Sequence, residues 1–110
     1  MVKLTVLYNL PDDVDEQEFI NWRKTTHEEN NSSMEGVIKT DFYVADCGLD
    51  GPPRYRFVTE VYWEDMETLK RVFFSEQVQK DLANDPWKVT DRLFLISEEV
   101  CKTIVEPEKA

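Results

Sequence analysis

The chain has 110 residues, enough for one hydrophobic core and too few for two. A hydrophobic share of 41% excludes wholesale disorder, and 13 basic against 23 acidic residues give a net charge of −10, which repels a phosphate backbone and argues against nucleic acid as a partner. No apolar run approaches the ~18 residues of a membrane span, and the alternating N-terminus does not read as a signal peptide, so no membrane contact and a cytoplasmic location are expected.

Lys3 to Asn9 alternates, with Leu4, Val6 and Tyr8 on one face and Lys3, Thr5 and Leu7 on the other, and predicts a first strand. Pro11 breaks it. Asp13, followed three residues later by Glu16, has the form of a capping box. A helix is expected from there to about Asn30, anchored by Phe19 and Trp22, with Ile20, Arg23 and His27 on a neighbouring stripe. The Asn-Asn-Ser-Ser run at 30–33 and Gly36 stop it. Val37 to Ala45 predicts a second strand, with Ile38, Thr40, Phe42 and Val44 opposite Val37, Lys39, Asp41 and Tyr43. The turn-rich stretch from Asp46 to Pro53 then leads into a third strand, Arg54 to Trp63, and the two most simply pair antiparallel. Asp65 caps a second helix with Met66, Leu69, Val72 and Phe73 inward. Ser75 restarts it to about Asn84, and Asp85-Pro86 ends it. Arg92 to Val100 predicts a fourth strand. Residues 1–102 form the expected domain and 103–110 an acidic tail, mobile over its last five residues.

The order β-α-β-β-α-β is the α+β, ferredoxin-like arrangement: an antiparallel four-stranded sheet with two helices on one face. The aromatic face of the third strand (Tyr55, Phe57, Val61, Trp63) is assigned to the helices. The other face mixes Leu7, Val58 and Tyr62 with Lys39, Asp41, Arg56 and Glu60, too apolar to be simply solvated and too charged to be simply buried. Closure by a second copy of the chain, leaving a lined cavity, fits that mixture and makes a homodimer the expected assembly. Cys47 and Cys101 stand far apart, and with one His they cannot build a four-ligand metal site. Ordinary thiols and no metal or other cofactor are expected.

The opening Val-Lys-Leu-Thr-Val-Leu-Tyr, the first helix with Trp22 and His27, the segment from Pro52 to Trp63 and the restart Ser75-Glu76-Gln77-Val78-Gln79 together resemble the EthD-like branch of the dimeric α+β barrel superfamily, over about residues 2 to 99. The resemblance implies a dimer whose sheets meet face to face, with a pocket in each subunit between the open sheet face and the first helix. It also implies the handling of small molecules in degradation or secondary metabolism. His27 is followed by Glu28-Glu29-Asn30 where the family commonly has a Pro.

His27 is the only imidazole and the candidate general base, with Glu60 or Tyr43 as catalytic partners. It also reads as a helix-end residue on terminal carbonyls, with Glu28 and Glu29 raising its pKa. Glu60 and Arg56 share a face of the third strand and either present a base and an anchor to a ligand or pair across strands with Lys39 or Asp41. Tyr43 and Tyr62 either orient an oxygenated ring or pack at a dimer seam, and Trp22 is either core or a ligand platform. The ligand-contacting candidates are thus Trp22, Arg56, Tyr62 and Asp41. Two functions fit: a cofactor-independent enzyme performing proton transfer (dehydration, cyclisation, isomerisation or oxidation) on an apolar, oxygen-bearing metabolite, or a non-catalytic dimeric binding or accessory protein.

Overall fold

Period-two patterning produces one antiparallel sheet from β1 (Val2–Asn9), β2 (Lys39–Val44), β3 (Phe57–Trp63) and β4 (Thr90–Glu98), in the order β2-β3-β1-β4. The computed structural model describes residues 1–107; the tail residues Glu108, Lys109 and Ala110 lie outside the described residues. Helices α1 (Glu16–Trp22), α2 (Glu28–Ser32), α3 (Met66–Phe73) and α4 (Glu76–Ala83) complete an α+β, ferredoxin-like architecture. No helix among the described residues is long and apolar enough to cross a membrane.

The aromatic face of β3 meets the helices, as its pattern requires. Val2, Leu4, Val61 and Trp63 pack with Leu69, Val72 and Phe73 of α3, while Tyr8 and Phe57 pack with Phe19 of α1. Burying each large apolar side chain contributes about 1.5–3 kcal/mol. The expected caps of the later helices are present: Asp65 accepts from the Thr68 amide at 2.8 Å and Ser75 from the Val78 amide at 3.3 Å.

Several boundaries differ from the sequence pattern: β2 is shorter than the expected Val37 to Ala45, and β4 begins and ends two residues before the expected Arg92 to Val100. The first helix is capped by Asp15, which accepts from the Glu18 amide at 3.0 Å, because Asp12 and Asp13 are spent in the turn that joins the Val14 amide to the Pro11 carbonyl. The helix is also not continuous. Between α1 and α2 the residues Arg23–His27 form a π turn, in which the Glu28 amide reaches back five residues to the Arg23 carbonyl. The Thr25 hydroxyl donates to the Asn21 carbonyl at 2.8 Å, a competing bond that favours such a widening. The third strand is shorter than expected. Arg56 turns out of it, its amide donating to Asn9 Oδ1 at 2.8 Å and its guanidinium to Glu16 at 2.9 Å.

After α2 the chain turns at Gly36 with φ +78°, a left-handed conformation that glycine adopts without strain. The Trp63 indole donates to the Glu35 carbonyl at 2.8 Å, pinning this turn onto the core. A Cβ on Gly36 would stand 2.9 Å from Thr68 Cγ2 and 3.2 Å from Trp63 Cδ1. Gly36→Ala is therefore expected to lower stability by about 1–3 kcal/mol in urea unfolding, and an unchanged midpoint would contradict this packing.

Candidate functional site

A partly open cavity of about 630 Å³ lies between the helix-facing side of the sheet and the helices. Leu4, Val6 and Val61 from the sheet and Val78 and Leu82 from α4 give it apolar walls, while Tyr8, Thr59, Arg23 and His27 bring polar groups to the same space. That combination, in a volume of this size, is the usual make-up of a small-molecule site.

The π turn positions two of these polar groups. In an α-helix, residues five apart lie about 140° apart around the axis; the wider turn brings them to one side. Two such pairs meet here. Trp22 and His27 stack with ring centroids 4.7 Å apart and planes at 21°. Arg23 Nη1 donates to Glu28 Oε2 at 2.6 Å.

Arg23 is 0% exposed. Its Nη2 donates to the Thr59 hydroxyl at 3.3 Å, and its guanidinium lies 4.6 Å from the Phe42 ring centre. The second Glu28 oxygen accepts from the Thr40 hydroxyl. Burial pushes Glu28 up, but the hydrogen bonds from Thr40 and Arg23 outweigh it and hold the carboxyl below its usual range. The Tyr8 and Thr59 hydroxyls share a 2.9 Å hydrogen bond, and burial raises the Tyr8 pKa, so the phenol keeps its proton. Among the described residues Arg23 Nε has no hydrogen-bond partner. An orphaned buried donor of this kind costs about 1–3 kcal/mol or more for a charged group.

Burial, followed by the Arg23 charge, lowers the His27 pKa to about 4, against the opposing pull of Asp85 and Glu28. The expected upward shift from the neighbouring carboxylates is thus reversed, because Glu28 is already engaged by Arg23 and Thr40 and desolvation dominates. The imidazole is neutral at neutral pH.

The expected partners of His27 are elsewhere. Glu60, Tyr43, Asp41 and Tyr62 stand on the opposite, open face, since alternation along β3 sends Thr59 and Val61 to the cavity and Val58, Glu60 and Tyr62 away from it. Glu60 pairs there with Lys3 and accepts from the Thr5 hydroxyl at 3.1 Å, and Lys39 pairs with Asp41 at 3.3 Å. Both lysines lie over the Tyr62 ring. Arg56 joins Glu16, so neither Arg56 nor Glu60 makes the cross-strand pair with Lys39 or Asp41 that the sequence suggests. The cavity of the single chain lies on the helix-covered face, whereas the resemblance implies one between the open sheet face and the first helix of a dimer. Of the proposed set, only His27 and Trp22 line the cavity. Arg23, Tyr8 and Thr59 also line the cavity, outside the set that the sequence pattern suggests. The available signal was a charged side chain on a helix stripe that otherwise points inward.

No family profile and no curated protein matches the chain. Among solved structures it is similar to an EthD family protein from Bacillus halodurans C-125 (TM-score 0.73, 24% identity, covering 91% of this chain and 99% of that one). It is also similar to a DABB family protein with a ferredoxin-like fold from Mesorhizobium loti (0.69, 15%, 91% and 97%). A third is a dimeric ferredoxin-like protein from Thermobifida fusca (0.64, 16%, 87% and 88%). At these identities the likeness is one of fold, and it agrees with the EthD-like resemblance carried by the sequence.

Because His27 holds its proton less tightly when folded, the unfolded chain binds more protons between about pH 4 and 6.5, and stability rises with pH across that window. The contribution is complete above the unfolded value and is lost as pH falls toward the folded one. His27→Gln should flatten this part of the stability profile, a difference on the order of 1–3 kcal/mol between pH 7 and 4. A proton NMR titration placing the wild-type imidazole near 6.5 would refute the burial argument.

Proposed function

We propose that the protein is a homodimeric small-molecule-handling protein that binds an apolar, oxygen-bearing metabolite in the helix-side cavity of each protomer. His27 then moves a proton on that molecule. The observation that carries this reading is the cavity itself, with apolar walls and the polar groups of Tyr8, Thr59, Arg23 and His27 gathered in it. A neutral imidazole accepts a proton from a ligand carbon or oxygen next to a carbonyl and returns it elsewhere on the same molecule. This isomerises the ligand or, when a hydroxide leaves with the returned proton as water, dehydrates it. Neither outcome needs an oxidant or a bound cofactor.

Dimerisation is assigned to the open face. There Tyr43, Val58, Leu7 and Leu93 form one row across all four strands, with Leu95 in the next. Tyr43 is 57% exposed, Leu93 40% and Leu95 46% in the single chain. The Thermobifida fusca protein of the same fold is dimeric. A standard interface of ~800 Å² per partner is within reach of such a sheet face.

One observation favours the non-catalytic alternative: a base with a pKa near 4 is weak at neutral pH. Mass spectrometry under non-denaturing conditions is expected to show a dimer that retains a small molecule. For whatever compound is retained, His27→Ala should lower turnover by about 10²–10⁴-fold while the compound still binds. Retention with no turnover in the wild type establishes the binding-protein alternative, and a monomer at micromolar concentration removes the dimer.

A further inference from the structure

We infer that Arg23 holds an acceptor oxygen of the cavity ligand, and that this oxygen belongs to an uncharged conjugated carbonyl rather than to a carboxylate. The inference rests on reading the cavity as a ligand site and names the chemistry of what enters it.

A guanidinium carries five N–H donors. Glu28 takes one through Nη1 and Thr59 one through Nη2, while Nε has no partner among the described residues. The side chain is wholly buried in the wall of the cavity that it lines, so an acceptor in the cavity reaches Nε once the ligand displaces the atoms covering it. Buried polar groups in native proteins are paired with few exceptions, and an unpaired donor at a cavity wall is satisfied by an ordered water or by a ligand that takes the water's place.

The charge of the ligand follows from what surrounds that donor. Glu28 already neutralises Arg23, and Asp81 and Asp85 outnumber Arg92, the other cation of the lining, in a chain of net charge −10. An incoming carboxylate would meet a compensated ion pair and, from Asp81, Asp85 and Arg92 together, a net negative charge. A carbonyl oxygen meets a free N–H and no such repulsion. When His27 takes a proton from the carbon beside that carbonyl, the electron pair left behind moves onto the oxygen as an enolate, next to a guanidinium already in place. Returning the proton to a conjugated carbon re-forms the carbonyl, so atoms and electrons balance. The apolar walls and the Trp22–His27 stack suit a flat conjugated skeleton.

Three probes of one ring system separate the possibilities: 2-acetylnaphthalene (ketone), 2-ethylnaphthalene (hydrocarbon) and 2-naphthoate (carboxylate). Titrated calorimetrically into the intact protein, the ketone should bind about tenfold or more tighter than the hydrocarbon, and tighter than the naphthoate. In ¹H–¹⁵N NMR of the wild type, the Arg23 Nε–H resonance should move with the ketone and not with the hydrocarbon, a readout that a merely structural arginine would not give. Arg23→Met combined with Glu28→Gln leaves no unpaired charge, and it should bring the ketone and hydrocarbon affinities together while both still bind. Equal affinities in the wild type, tighter binding of the naphthoate or an unmoved Nε–H in the ketone complex would each overturn the inference with the cavity reading intact. Failure of all three probes to bind would overturn both.

Discussion

A single buried positive charge organises this molecule. Arg23 has left water completely, and a guanidinium can do so only against a counter-charge and hydrogen-bond acceptors. Glu28 supplies the charge, and the π turn lets residues five apart in sequence meet. The same turn lays His27 on Trp22. Thr40, on β2, then fastens Glu28, so the helix irregularity, the sheet edge and the cavity wall are held by one chain of contacts. Straightening Arg23–His27 into an α-helix would separate both pairs and leave the arginine buried without its partner. The irregularity is thus tied to the site.

The sheet keeps two tasks apart through the simplest rule a strand has. Along β3, Phe57, Thr59, Val61 and Trp63 serve the core and the cavity, while Val58, Glu60 and Tyr62 serve the open face. A one-residue slip of β3 against β1 would exchange these sets and destroy both surfaces together. The mixed character of the open face also has a local explanation. Lys3 with Glu60 and Lys39 with Asp41 satisfy the charges within one chain, and the two ammonium groups sit over Tyr62. The face is therefore electrostatically self-contained, and its apolar row stays uncovered in the single chain.

What the sequence made legible was what depends on local pattern. Alternation identified the core face of each of the first three strands, and Asp65 and Ser75 announced their helices through capping chemistry. The lost information was of two kinds. The π turn is a departure of a few degrees per residue that composition barely marks, with Thr25-Thr26 its only trace. Once it was read as regular helix, Arg23–Glu28 and Trp22–His27 could not be brought together. The second kind was a choice of side. His27 and Glu60 were each recognised as chemically notable, but nothing in a linear pattern says on which side of a sheet a cavity opens. The acidic neighbours of His27 misled for a related reason: sequence proximity suggested a raised pKa, whereas Glu28 is occupied by Arg23 and burial decides.

The electrostatics of the cavity bear on how a weakly basic imidazole can serve proton transfer. At rest Arg23 and burial both oppose a second positive charge at His27. That opposition is not fixed. If a ligand occupies the cavity with its carbonyl oxygen at Arg23, withdrawal of a proton places negative charge beside the guanidinium in the same event that places positive charge on the imidazole. The imidazolium then faces an enolate and not a bare arginine, and the Coulombic opposition from Arg23 is offset when the proton moves. A histidine with a low resting pKa beside a buried arginine is in this sense more selective than a free one. Under the proposed proton transfer it would stay neutral toward water, and toward any ligand that cannot accept charge at Arg23, and would gain basicity only with a ligand whose oxygen is in place.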